Sequence, residues 1–167
     1  AYAYEDLEAA KAAAEANNGP DQEQLRVGAL AYAAVYELSE TDADRAEAAY
    51  SAALRFAWTG QKAKAIEYFE KVIDLPRSKG NKRGLAYRLT SGMYFEQSEF
   101  SKAKNACIEY LKNPAGPPEW QDGVKKTLES IERVEAAKDV KKNRSDLKHA
   151  TAIHGSENHE IMRIGNI

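Results

Sequence analysis

Few residues of this chain are of the types that perform chemistry, and their spacings do not suit it. Three histidines recur every five residues, at His149, His154 and His159. Five residues turn a helix through about 140° and put neighbours on opposite faces of a strand, so neither structure gathers the imidazoles on one metal ion. Ser101-x-x-Lys104 matches a nucleophile–base pattern by letters, without companion motifs. No phosphate loop, dinucleotide fingerprint or paired-histidine motif is present, and we expect no enzyme, metal or cofactor.

The other modifiable positions are equally uninformative about chemistry. Cys107 is the only cysteine, which excludes a disulfide within the chain, and its place in a helical pattern predicts a small core residue. Asn143-Arg144-Ser145 is a glycosylation sequon, meaningful only in a secretory pathway. Ala1-Tyr2-Ala3 has the small-x-small form that precedes signal-peptidase cleavage, which favours a periplasmic or extracellular protein. An Ala-rich helix start has the same letters, and a cytoplasmic location is the alternative.

Length and composition indicate one domain with a real core. The chain has 167 residues, of which 43% are hydrophobic and 30% charged, ordinary values for a globular protein. Its net charge of −2 provides no field that would draw it onto nucleic acid. No apolar run approaches the ~18 residues of a membrane span. The charge is uneven, however: residues 1–50 carry 11 acids and 3 bases, and the remainder carries 15 acids and 21 bases.

The elements that must position any site are helices. Apolar residues recur at steps of three and four, and Gly, Pro, Asn and Ser separate the runs. The predicted helices are 3–17, 21–39, 41–59, 62–75, 84–97, 100–112 and 118–140. From Lys141 the amphipathic signal fades, so 141–167 is predicted to be a tail.

Two stretches of the chain, 45–76 and 83–114, repeat each other. A shift of about 38 residues places Phe56 on Tyr94 and Ala65 on Ala103. The same shift places Phe69 on Cys107 and Pro76 on Pro114. Such a period is typical of a helical solenoid, in which each helix pair buries its apolar face against the next pair.

This pattern resembles the tetratricopeptide repeat. The resemblance covers residues 45–114 well and the flanking helices loosely, and Ala49 departs from it where an early aromatic residue is expected. It implies an all-α fold of antiparallel helix–turn–helix repeats, an α-solenoid of about seven helices followed by a C-terminal tail. The repeat domain is then 1–140, with 118–140 as its capping helix.

In that family the first helix of each repeat lines a concave groove. Carried over residue by residue, the resemblance implies a peptide-binding groove at Tyr50, Leu54, Trp58, Arg88, Leu89 and Phe95. Ala, Ser and Leu occupy the places where some members hold a terminal carboxylate, so no such clamp is expected. An apolar, aromatic groove suits an amphipathic helix or an extended apolar peptide. The alternative is that Trp58, Leu89 and Phe95 pack against an adjacent helix.

Two classes of function follow. The first is a non-catalytic adaptor whose partner is a protein or peptide held in the groove, with neither nucleic acid nor a membrane span involved. The second is a structural subunit that assembles with copies of itself through its unlike charged ends and its tail. The last residues of the tail are apolar enough to dock in a groove, its own or a neighbour's: Ile161, Met162, Ile164 and Ile167.

Overall fold

The computed structural model describes the backbone of residues 6–76 and 81–164, and the side chains of these residues up to His149. This part of the chain contains helices and no strand, as predicted. Its seven helices are α1 (Leu7–Ala16), α2 (Gln22–Leu38), α3 (Asp42–Trp58), α4 (Lys62–Asp74), α5 (Asn81–Glu96), α6 (Phe100–Lys112) and α7 (Pro118–Ile164).

Helices that follow one another from α1 to α6 pack together. Because short connections join helices that lie side by side, successive helices run antiparallel. The helix α3 also contacts α5, the next but one in the chain. The chain divides into two compact units, Ala1–Leu128 and Glu129–Ile167. The first unit holds α1 to α6 with the beginning of α7, and the second holds the rest of α7.

Short polar residues begin the first three helices. The side chain of Asp6 accepts a hydrogen bond from the Ala9 amide, and that of Asp21 from the Glu23 and Gln24 amides. Thr41 accepts one from the Asp44 amide at 3.1 Å. Each cap satisfies amides that lack an intrahelical partner.

The helices α4 and α6 are related by the 38-residue shift found in the sequence. The helices α4 and α6 each have 13 residues, and both ends of α6 lie 38 residues after those of α4. The turns before them match as well: Gly60 has φ +77° and Ser98 has φ +61°. Gln61 donates to the Phe56 carbonyl at 2.8 Å, and Glu99 donates to the Tyr94 carbonyl at 2.9 Å. These hydrogen bonds end α3 and α5, the helices that precede α4 and α6, with the same left-handed turn.

The core of the first unit is built largely from alanine. Ala65 and Ala103, which the 38-residue shift superposes, are fully buried. Phe69 and Cys107, which the 38-residue shift superposes, are also fully buried. Burial raises the pKa of the Cys107 thiol, which keeps the sulfur protonated and unreactive. The central cluster of buried side chains comprises Ala29, Ala49, Ala52, Ala53, Phe56, Ala65, Phe69, Val72 and Ala86.

A buried arginine ties the first two helices to α3, which the sequence pattern did not predict. The Arg55 guanidinium lies 4.3 Å from the centre of the Tyr32 ring and donates to the Ser51 carbonyl at 3.0 Å. It also donates to the Asn18 side chain in the α1–α2 turn. Gly28 leaves room for the Arg55 side chain, because a Cβ at residue 28 would lie 3.2 Å from that side chain.

The last helix is longer than predicted. It begins at Pro118, as expected, but continues past Val140 through the segment predicted as a tail, to Ile164. Amphipathic periodicity reports a buried face, and it fades where a helix is exposed on all sides even when the residues favour helix. Every side chain from Ala136 to His149 is exposed. The side chains of Ile161, Met162 and Ile164 and the whole of Ile167 lie outside the described residues, so their predicted docking stays a prediction.

Candidate functional site: the groove of alternate helices

The three groove residues predicted on α3 lie on one face, at intervals of four. Tyr50 and Leu54 are half-buried and pack against the central core cluster. The Tyr50 ring meets the Phe69 ring edge-on, with 5.7 Å between centroids. Trp58, at the end of the helix, is 58% exposed. The inner part of this face therefore rests on the core, and its outer end offers a large aromatic surface to solvent.

On α5, the predicted residues have different environments. Leu89 packs against the central core cluster from its half-buried position. Phe95 forms an edge-on pair with Phe100, the first residue of α6, at 5.7 Å between centroids. The Phe95 ring is therefore engaged in its own helical hairpin, whereas Arg88 turns towards α7.

Arg88 links α5 to α7 through Trp120. Its guanidinium carbon lies 4.0 Å from the centre of the Trp120 ring. Burial raises the pKa of the Tyr50 hydroxyl, and the positive charge of Arg88 opposes that shift, which places Arg88 within electrostatic reach of α3. No ion pair joins Arg88 to a carboxylate anywhere in the described side chains. Stacking on Trp120 holds the cation while leaving its donors available.

A depression lies between α5 and α7 and is called here the α5–α7 groove. Its principal lining residues are Arg88, Leu89, Gly92, Trp120, Gly123 and Val124. The α5–α7 groove has a volume of about 350 Å³ and is open to solvent. Glu119 and Thr127 stand at its rim. The sequence pattern missed the α7 contribution, although Trp120 and Val124 follow the proline that starts a helix.

Two glycines inside helices border this groove. A Cβ added at Gly92 or at Gly123 would meet no heavy atom within 4 Å, so no close approach between helices requires either glycine. Glycine within a helix destabilises it by roughly 0.5–1 kcal/mol relative to alanine. Both helices therefore carry this energetic cost at positions that border the groove.

Gly116 places the Trp120 ring in the groove. Gly116 has φ +91°, and its ideal Cβ position lies 2.2 Å from a carbon of that ring. The indole thus occupies the volume that any other residue at 116 would fill. The preceding turn is held by the Tyr110 hydroxyl, which donates to the Ala115 carbonyl at 2.8 Å.

The residues considered for chemistry are not assembled into a site. Ser101 is exposed in the first turn of α6, and Asn143 and His149 are exposed on α7. The side chains of His154 and His159 lie outside the described residues. Within the described part of the chain, no group of three or more His, Cys, Asp or Glu side chains is placed to hold a metal ion. No helix in the described part of the chain is both long and apolar enough to cross a membrane.

Comparison with known proteins identifies no relative. The chain matches no family model, no curated protein and no solved structure. Its function must therefore be inferred from the groove itself.

Proposed function

We propose that this chain is a non-catalytic protein-interaction module that holds an apolar peptide or helix of a partner along α3, α5 and α7. The observation that carries the proposal is the open α5–α7 groove, kept free by Gly92 and Gly123. Concave, mostly apolar surfaces with a few polar groups are typical of binding sites. The groove offers Leu89 and Val124 for apolar contact, and Arg88 for orientation.

We further propose that the module is similar to tetratricopeptide-repeat adaptors. The arguments for this are the 38-residue repeat of α4 and α6, the contact between α3 and α5, and the buried alanines at helix crossings. In such a repeat the first helices lie side by side and supply the binding face. Here these helices are α3, α5 and α7, which carry Tyr50, Arg88 and Trp120.

Trp58 supplies a test of this function. Peptides selected from a random display library on the full chain are expected to lose affinity about fivefold or more with Trp58→Ala, because burying an indole contributes 1–3 kcal/mol to an interface. The melting temperature should not change, since Trp58 is already 58% exposed. Titration calorimetry and thermal unfolding give the two quantities.

Ile108 provides the matched control. It is an apolar residue of α6 that is 40% exposed, on a helix that contributes nothing to the described groove. Ile108→Ala should leave peptide affinity unchanged. If no peptide is selected, or if Ile108→Ala weakens binding while Trp58→Ala does not, the face along α3, α5 and α7 is not the binding surface.

A second candidate function is self-assembly, and the exposed part of α7 favours it. Val140 and Leu147 are 53% and 70% exposed. They lie seven residues apart, the spacing that places residues on one seam of a coiled coil. Asp139 and Arg144 are the residues that would flank this seam. There, an acidic residue of one copy attracts a basic residue of the other copy.

Sizing at several concentrations and at low and high salt tests this candidate. Self-assembly predicts a concentration-dependent oligomer that Val140→Lys and deletion of 150–167 reduce to a monomer. Glu132→Lys, an exposed change earlier on the same helix, is the charge control and should leave the oligomer intact. A monomer at every concentration and salt would exclude self-assembly as the function.

A further inference from the structure

We propose that the α5–α7 groove takes one large apolar side chain of a partner segment between Gly92 and Gly123, and that Arg88 pairs with an Asp or Glu side chain beside it. This inference rests on the proposed function and specifies the ligand at the same site. It defines the partner as an acidic segment with an apolar anchor.

The apolar half of this inference comes from the space at the two glycines. Gly92 and Gly123 line the same groove, one on each helix, and the space beside each Cβ position is empty to 4 Å. Leu89 and Val124 provide apolar surface there. A volume of about 350 Å³ admits a large aliphatic or aromatic side chain, whose transfer out of water is favourable.

The acidic half comes from Arg88. Its guanidinium stacks on Trp120 at 4.0 Å and has no carboxylate partner among the described side chains. A planar guanidinium held over a ring keeps its N–H donors directed outward in a fixed fork, which matches a carboxylate. Tyr50 adds a neutral hydroxyl within electrostatic reach, which does not neutralise the guanidinium.

Glu119 sets the direction of the ligand. It lies at the rim beside Trp120 and is exposed, so a second carboxylate of the ligand near it would be repelled. Arg88 and Glu119 give the groove one positive and one negative lining residue. The ligand's acidic side chain therefore lies at Arg88, and neutral or basic residues lie at Glu119.

The test uses random peptides with amidated C-termini, selected on the full chain, so that any carboxylate comes from a side chain. We expect enriched peptides to carry a large apolar residue within a few positions of Asp or Glu. Gly92→Leu should reduce their affinity about tenfold or more because it fills the space for the anchor. Arg88→Gln should reduce it about threefold to fivefold, and only for peptides that contain the acid.

Gly92→Ala is the folding control. It adds a single methyl group in open space and should raise the melting temperature slightly while retaining most of the affinity.

Peptides that bind wild type and Gly92→Leu equally would overturn this inference and leave the proposed function standing. Enrichment without acids, or binding indifferent to Arg88→Gln, would overturn its acidic half. A second selection uses the same random peptides with free C-termini; if only these bind, the carboxylate is a terminal one and the inference is wrong. The absence of any selected peptide of either kind would contradict the proposed function as well.

Discussion

Phe69→Ala is expected to lower the free energy of unfolding by about 3–5 kcal/mol. Phe69 is fully buried in the central core cluster, and its ring supports Tyr50 from below the groove face. Removal of the ring leaves a cavity in this cluster, and the alanines that make up most of it have side chains too short to fill the space. Urea unfolding followed by far-ultraviolet circular dichroism measures the change.

Trp58→Ala is the matched aromatic control for this prediction. Because Trp58 is 58% exposed, its truncation should change stability by no more than about 0.5 kcal/mol. Equal losses for Trp58→Ala and Phe69→Ala would contradict the assignment of one ring to the core and the other to the surface.

Gly116→Ala is expected to destabilise the chain by about 2–3 kcal/mol and to displace Trp120 from the groove. The left-handed conformation of residue 116, with φ +91°, costs about 1–2 kcal/mol for a residue with a Cβ. The added carbon also collides with the Trp120 ring, 2.2 Å from its ideal position. In a Trp58→Phe background, which leaves Trp120 as the only tryptophan, its fluorescence emission should shift as the ring leaves Arg88.

Gly60 allows the two effects to be separated. It also has a left-handed conformation, with φ +77°, but a Cβ there meets nothing within 4 Å. Gly60→Ala should therefore cost only about 1–2 kcal/mol and leave the Trp120 emission unchanged. Identical stability losses and spectra in the two variants would contradict the placement of Trp120 by Gly116.

Much of the fold could be predicted from the sequence because helix ends and buried helix faces depend on residues that are close together in the chain. The helix predicted at 41–59 corresponds to α3, which Thr41 caps. The 38-residue shift superposes Ala65 on Ala103 and Gly60 on Ser98; both alanines are fully buried, and both turn residues have positive φ. The extent of α7 could not be predicted in this way, because periodicity marks a buried face and its C-terminal half has none in the described side chains.

The site was only partly predictable. Tyr50, Arg88 and Leu89 come from the repeat pattern, and they lie on or beside the groove. Trp120 and Gly123 belong to a helix outside the two clear repeats, so the shift that relates those repeats did not reach them. The burial of Arg55 was also missed, because its partners Asn18 and Tyr32 are more than 20 residues away.

The measurement that tests the groove most directly is a backbone-amide chemical-shift map of the isotope-labelled chain, titrated with a selected peptide. The proposed function predicts that shifts concentrate on the groove faces of α3, α5 and α7, around Leu54, Gly92 and Gly123. Small or no shifts are expected on the outer faces of α2, α4 and α6. Shifts concentrated on those outer helices, with the amides of the groove unchanged, would contradict the account.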